Sequence, residues 1–198
     1  MTCDYTAVTE LPGSKLTPEQ HERIYQRYDL AKQYAAGKRV LEVACGAGIG
    51  LSHLAMDALA AFAGDYTKHV VQIAHTHYGE RVPILCFDAH DPPFQDNAFD
   101  VIVNFEAIYY FTDPQKFIGE CKRMLAHQGV LVIGLENKEY PHFAPGPMSV
   151  QYYSAPELHT WLCQAGFSCV EFLAGLPVAN RSLTAWIRAT VRRMLLNT

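Results

Sequence analysis

Val40-Leu41-Glu42-Val43-Ala44-Cys45-Gly46-Ala47-Gly48-Ile49-Gly50 is the stretch on which the fold turns. A β-branched run from Arg39 to Ala44 breaks into alternating glycines, and helical periodicity follows from about Ile49 to Leu59. Without a Cβ, glycine lets backbone N–H groups approach a ligand that side chains would hold off, and the N-terminus of the following helix adds a favourable field. A strand, a glycine turn and a helix form the first half of a βαβ unit.

Working outward, the same alternation continues. A small apolar strand, Ala60 to Gly64, is closed by Asp65, and a helix follows near Lys68–His77. Then come strands at Val82–Phe87 and Asp100–Phe105, a helix at Pro114–Ala126 and a strand at Gly129–Leu135. Strands alternating with helices predict an α/β fold: a Rossmann-like, doubly wound, mostly parallel sheet in a three-layer α/β/α sandwich. Upstream, Thr17-Pro18-Glu19-Gln20 carries an N-cap, a first-position proline and an acid in the first turn, so a helix runs from there to about Ala35 and stops at Gly37.

Beyond Glu136 the pattern changes. Residues 137–150 hold three prolines and one glycine without a clear period, which predicts a long loop of the kind that serves as a lid or substrate loop. Ser154-Ala155-Pro156-Glu157 opens another capped helix ending at Gly166, and Phe167–Phe172 reads as a strand. In Ser182–Leu195, Leu183, Trp186, Ile187, Thr190, Val191 and Met194 fall on one helical face. No internal repeat is visible. One domain is therefore expected over residues 1–198, with a cap helix at 17–36, a core at 38–136 and a substrate and edge region at 137–198.

Composition fits such a globule. Of 198 residues 49% are hydrophobic and 18% charged, which argues against disorder. Sixteen Lys+Arg against twenty Asp+Glu give a net charge of −4, without the basic excess that a nucleic-acid binder shows. No apolar run is long enough for a membrane span and the first ten residues do not read as a signal peptide. The six cysteines are scattered with no C-x-x-C pair, which predicts a reduced, cytoplasmic protein without structural zinc. His75 and His77 stand two apart, so a helix splays them onto different faces, and no metal is expected.

Two readings of the glycine turn compete. A dinucleotide fingerprint, G-x-G-x-x-G counted from Gly46, needs a third small residue where Leu51 stands. The looser turn that accepts S-adenosylmethionine has no pyrophosphate to cradle and does not require it. The stretch resembles the first motif of the class I S-adenosylmethionine-dependent methyltransferases, with Glu42 as the motif acid. Gly46 and Gly48 match its second and third glycines, and Ala44 stands where the family has its first. Asp65 fits the carboxylate that accepts ribose hydroxyls in such units. Phe87-Asp88-Ala89-His90 resembles the family's adenine-binding strand end, Asp88 accepting from the amino group and the Ala89 N–H facing a ring nitrogen. The resemblance also places Tyr28, Cys45, Tyr66, His90, Phe105 and Glu106 around the cofactor, S-adenosyl-L-methionine.

In the family, the segment Asn104-Phe105-Glu106-Ala107 lies beside the reactive methyl, and here it lacks the Asn-Pro-Pro-Tyr signature used on nucleobase and glutamine amino groups. The implied activity is methyl transfer to a small-molecule acceptor, an oxygen of a sugar or secondary metabolite. Glu106, His90 and His142 are the candidate bases, although Glu106 also suits the methionine amino group. An NAD(P)-dependent oxidoreductase is disfavoured by Leu51 and by the lack of a Tyr-x-x-x-Lys dyad; a non-catalytic S-adenosylmethionine-binding protein is the third reading. No usual seventh strand is visible, and an open sheet edge or the C-terminal helix would favour a homodimer.

Overall fold

The computed structural model describes residues 4–141 and 143–174. Five strands form one sheet: β1 Arg39–Val43, β2 Ala60–Asp65, β3 Ile84–Cys86, β4 Phe99–Phe105 and β5 Leu125–Gly134. They lie in the order β3-β2-β1-β4-β5, every neighbouring pair parallel. Helices α1 (Pro18–Ala35), α2 (Leu51–Ala55), α3 (Lys68–Tyr78), α4 (Pro114–Met124) and α5 (Ala155–Gln164) connect or flank them.

Alternation along the strands sorts the core onto two faces. Val40, Val101 and Val103 pack against Tyr28, Ala31 and Ala35 of α1. One residue on, Leu41 and Ile102 face Phe117, Ile118 and Cys121 of α4 and Leu158 and Leu162 of α5. Ala63 joins Val71, Ala74 and Tyr78 of α3. Because both faces are covered, the central strands β1 and β4 are buried almost throughout, as parallel strands require. The three-layer Rossmann-like arrangement expected from the sequence is the one observed.

Several boundaries moved, each for a local reason. The first helix starts at the expected Thr17 N-cap, and Gln20 completes a reciprocal capping box with it. By contrast α2 is only Leu51–Ala55, shorter than Ile49–Leu59. The turn occupies residues up to Gly50, while the Gly37 N–H donates to Asp57 O and the Leu59 N–H to Lys38 O, which pulls the chain out of the helix. Strand β5 begins at Leu125 instead of Gly129. Leu125 already pairs with Phe99, and a register shift with Gln128 at φ 62 absorbs the extra residues as a bulge.

Phe167–Phe172 is not a strand. Its apolar residues are buried because Phe167 and Val170 pack into the core beside α4 and α5, not because the segment pairs with β5. The proposed strand at 176–179 and the helix at 182–195 lie outside the described residues. None of the described helices is long and apolar enough to cross a membrane.

Candidate functional site

The chain order reverses between β1 and β4, and a cleft of about 440 Å³ opens at the C-terminal ends of these strands. In open α/β sheets this switch point is where ligands bind, because the loops leaving the two strands diverge there. Glu42, Asp65, Asp88 and Glu106, one acid from each of four strand ends, line the cleft.

The glycine turn forms its floor. Ala44 sits at φ 60 and Gly46 at φ 54, so the first residue of the turn adopts the left-handed conformation that glycine takes without strain. A Cβ at Gly46 would lie 2.8 Å from Thr9 Cγ2. The N-terminal segment therefore packs directly on the bare turn. Gly48, at φ 79, leaves room for Tyr78, whose hydroxyl donates to Gly48 O at 2.6 Å. At Gly50 the close neighbour is the Tyr28 ring, which a Cβ there would strike. The glycine lets α1 settle onto the turn.

Asp65 ends β2 almost fully buried, accepting the Gly46 N–H through Oδ2 (2.9 Å) and the Thr67 N–H through Oδ1 (2.8 Å). Burial raises its pKa, and the Thr67, Gly46 and Tyr66 amides oppose the rise. One carboxylate thus ties the glycine turn to the end of β2 and keeps lone pairs facing the cleft. Glu42, 1% exposed, accepts from the Tyr28 hydroxyl at 2.5 Å, while its other oxygen is buried without a partner among the described residues. Burial pushes Glu42 up to about 8 against the Tyr28 hydrogen bond and the Arg27 charge.

Glu106, at the end of β4, takes φ 50, and its N–H donates to Gly134 O at 2.7 Å. Its Oε1 accepts from Arg27 Nη1 at 2.5 Å and its Oε2 from the Tyr109 hydroxyl at 3.2 Å. Burial raises the Glu106 pKa, and Arg27 works against that rise.

The sequence candidates therefore separate. Tyr28, Glu42, Ala44, Cys45, Gly46, Asp65, Tyr66, Asp88, Ala89, His90, Phe105 and Glu106 all line the one cleft. Gly48 stands behind it under Tyr78. The two ring nitrogens of His90 are both engaged: Nδ1 lies 2.6 Å from Asp88 Oδ1, and Nε2 accepts the Asp113 N–H at 3.2 Å. The ring thus bridges Asp88 to the N-terminus of α4. His142 lies outside the described residues. Tyr25 is 56% exposed and rests on His53, away from the cleft. Among the described residues no group of three or more His, Cys, Asp or Glu could hold a metal ion.

Sequence reasoning missed Arg27, and also Tyr5 and Thr9, which line the cleft from the N-terminal segment. Tyr5 donates its N–H to Thr67 Oγ1, and its ring lies against Tyr66 and Tyr110. No local signal marks these residues, because only the docking of α1 and the chain before it brings them over the strand ends.

A methyltransferase-domain family model matches residues 41–133, the segment from β1 to the end of β5. The chain is 32% identical over 176 residues to a Mycobacterium tuberculosis protein named "Probable S-adenosylmethionine-dependent methyltransferase", covering 81% of this chain and 62% of that one. These matches support the methyltransferase resemblance read from the sequence and set it on the segment that builds the cleft. The chain is also 27% identical over 176 residues to an O-methyltransferase of Penicillium expansum, covering 82% of this chain and 60% of that protein. It thus spans under two thirds of the length of either relative. A solved S-adenosylmethionine-dependent methyltransferase from Aquifex aeolicus superposes with a TM-score of 0.68 at 25% identity, over 79% of this chain and 87% of that one.

The residues of this cleft fit S-adenosylmethionine, the cofactor expected from the sequence. Its ribose hydroxyls and ammonium are donors, and the cleft offers the Asp65 carboxylate and the partnerless, buried Glu42 Oε2. Its adenine amino group has the half-exposed Asp88 carboxylate within the same cleft.

Proposed function

We propose that the chain transfers a methyl group from S-adenosylmethionine to a small-molecule acceptor, an oxygen of a sugar or secondary metabolite. The observation that carries this is the pairing of a bare Gly46 turn with a buried Asp65 carboxylate at the switch point. When bound, the cofactor supplies an electrophilic sulfonium methyl group. Asp65 would hold the ribose, Asp88 and the Ala89 N–H the adenine, and Glu42 the cationic end. These contacts fix direction, and alignment is the larger part of the work in an in-line displacement.

Glu106 is the base in this reading. It lies on the cleft wall, where burial raises its proton affinity above that of an exposed carboxylate. The acceptor side is aromatic: Tyr109 stacks on Tyr152 at 4.3 Å, Tyr110 lies beside it, and Phe143 meets Tyr152 edge-on. Val150 and Gln151 donate their N–H groups to Tyr109 O, so the 137–150 loop is anchored on this wall. Such a wall suits an acceptor that lays an apolar face on the rings beside its reacting hydroxyl. The O-methyltransferase relative supports oxygen as the acceptor atom.

Calorimetric titration with S-adenosylhomocysteine and with NAD tests the cofactor reading. Binding of the first and not the second is expected, weakened at least tenfold, about 1.4 kcal/mol, by Gly46→Val. Equal affinity for both ligands, or none for S-adenosylhomocysteine, overturns it. Turnover on a panel of hydroxylated acceptors, lost in Glu106→Gln, tests the rest.

A further inference from the structure

Consecutive residues of α1 reach the two central strand ends. Tyr28 donates to Glu42 at the end of β1, and Arg27 donates to Glu106 at the end of β4. Arg27 is held on its way across. Its guanidinium carbon lies 5.9 Å from the centre of the Phe105 ring. Its Cδ passes 3.6 Å from the point where a Cβ on Gly134 would stand. A side chain at Gly134 would also strike Phe105, at 2.6 Å, so that glycine leaves the space through which Phe105 and Arg27 pack.

We propose that Arg27 is the positioning residue of this site: reaching from α1 across the cleft, it orients the Glu106 carboxylate and holds it anionic. The inference rests on the reading of Glu106 as the base. It deepens that reading by naming what prepares the carboxylate to accept a proton.

The groups around Glu106 leave this role to Arg27. From the turn after β4, Tyr109 supplies a neutral donor to Oε2. From the segment after β5, Glu136 adds like charge, and Arg23 of α1 lies 3.8 Å from Glu136, with both of those side chains largely exposed. From β1, Glu42 is occupied by Tyr28. Arg27 is thus the cation in direct contact with Glu106, and it fixes one carboxylate oxygen while Tyr109 fixes the other. The backbone of Glu106 is left-handed, at φ 50, so its side chain leaves β4 in a direction the strand itself would not give. Docking of α1 and readiness of the carboxylate therefore become one event. A helix that lifts away takes the guanidinium with it, and Glu106 then faces burial without its counter-charge.

The test is a carboxyl-carbon NMR titration of the full chain, with the Glu106 resonance assigned by its loss in Glu106→Gln. Arg27→Met is expected to raise the Glu106 midpoint by about one pH unit or more, the usual effect of removing an adjacent opposite charge. Arg27→Lys is expected to return it most of the way, since charge and not shape is being restored. If Arg27→Met does not fold, Arg27→Gln, which keeps length and a donor, reads the same loss of charge. A midpoint unmoved in the neutral variants, or moved equally by Lys, overturns the proposal. Activity is a separate readout. Loss of turnover in Glu106→Gln tests whether Glu106 is the base, and that reading can fail while the Arg27 titration result stands.

Discussion

Asp65 offers the most exacting test of the site, because it does two things at once. It accepts two backbone N–H groups, from Gly46 and Thr67, and in the proposed complex it also accepts the ribose hydroxyls. A hydrogen bond to a charged group contributes about 1.5–3 kcal/mol. Losing one ribose contact therefore corresponds to roughly one to two orders of magnitude in affinity, and tenfold is the lower bound for Asp65→Ala. The same substitution leaves the Gly46 and Thr67 amides without their acceptor, at a cost of about 1–3 kcal/mol each if water does not replace it. Weaker binding alone would not separate a lost contact from a loosened turn. A double cycle does: S-adenosylhomocysteine and its 2′,3′-dideoxy analogue are titrated into the wild type and into Asp65→Ala. If Asp65 grips the ribose, removing the hydroxyls weakens wild-type binding by at least tenfold and leaves the variant's affinity nearly unchanged. Equal losses in both proteins, with no coupling, would show that the carboxylate acts only on the backbone and would sink the ribose assignment.

Three further outcomes are expected. Ala44→Gly removes a left-handed alanine, worth about 1–2 kcal/mol, against a glycine entropy cost of about 0.5–1 kcal/mol, so thermal unfolding should show stability unchanged to about 1.5 kcal/mol higher. Gly50→Ala drives a methyl into the Tyr28 ring, and chemical denaturation should register a loss of about 1–3 kcal/mol together with weaker cofactor-product binding, since Tyr28 holds Glu42. The folded pKa of Glu42, about 8, lies above its ordinary 4.5, so between these values the folded chain keeps a proton that the unfolded chain has released. Stability should fall as pH rises through that window, and Glu42→Gln should flatten the slope in melting curves taken from pH 5 to 8; an unchanged slope refutes the assignment.

Much of this architecture could be read along the chain. The glycine turn, the acid closing the next strand and the alternation of apolar runs with capped helices are local signals. They predicted the parallel sheet and the strand-end acids Glu42 and Asp65, while the family resemblance added Asp88 and Glu106, and all four line the cleft. Where the prediction slipped, a local pattern had two causes. The apolar spacing of Phe167–Phe172 follows from burial against α4 and α5, and burial produces that spacing whether or not a strand pairs.

Sequence alone determined the covalent periodicity: which residues could be strand, turn or helix, and which carboxylates would stand at strand ends. Tertiary structure decided which long-range partners those carboxylates meet. Arg27 lies 79 positions from Glu106 along the chain, and Tyr28 lies 14 from Glu42. Nothing in the local pattern of α1 distinguishes Arg27 from a solvated helix face, and only the family resemblance pointed to Tyr28. The physical reason is that periodicity encodes each element's apolar stripe, whereas the pairing of charges across a cleft depends on how two such elements are docked.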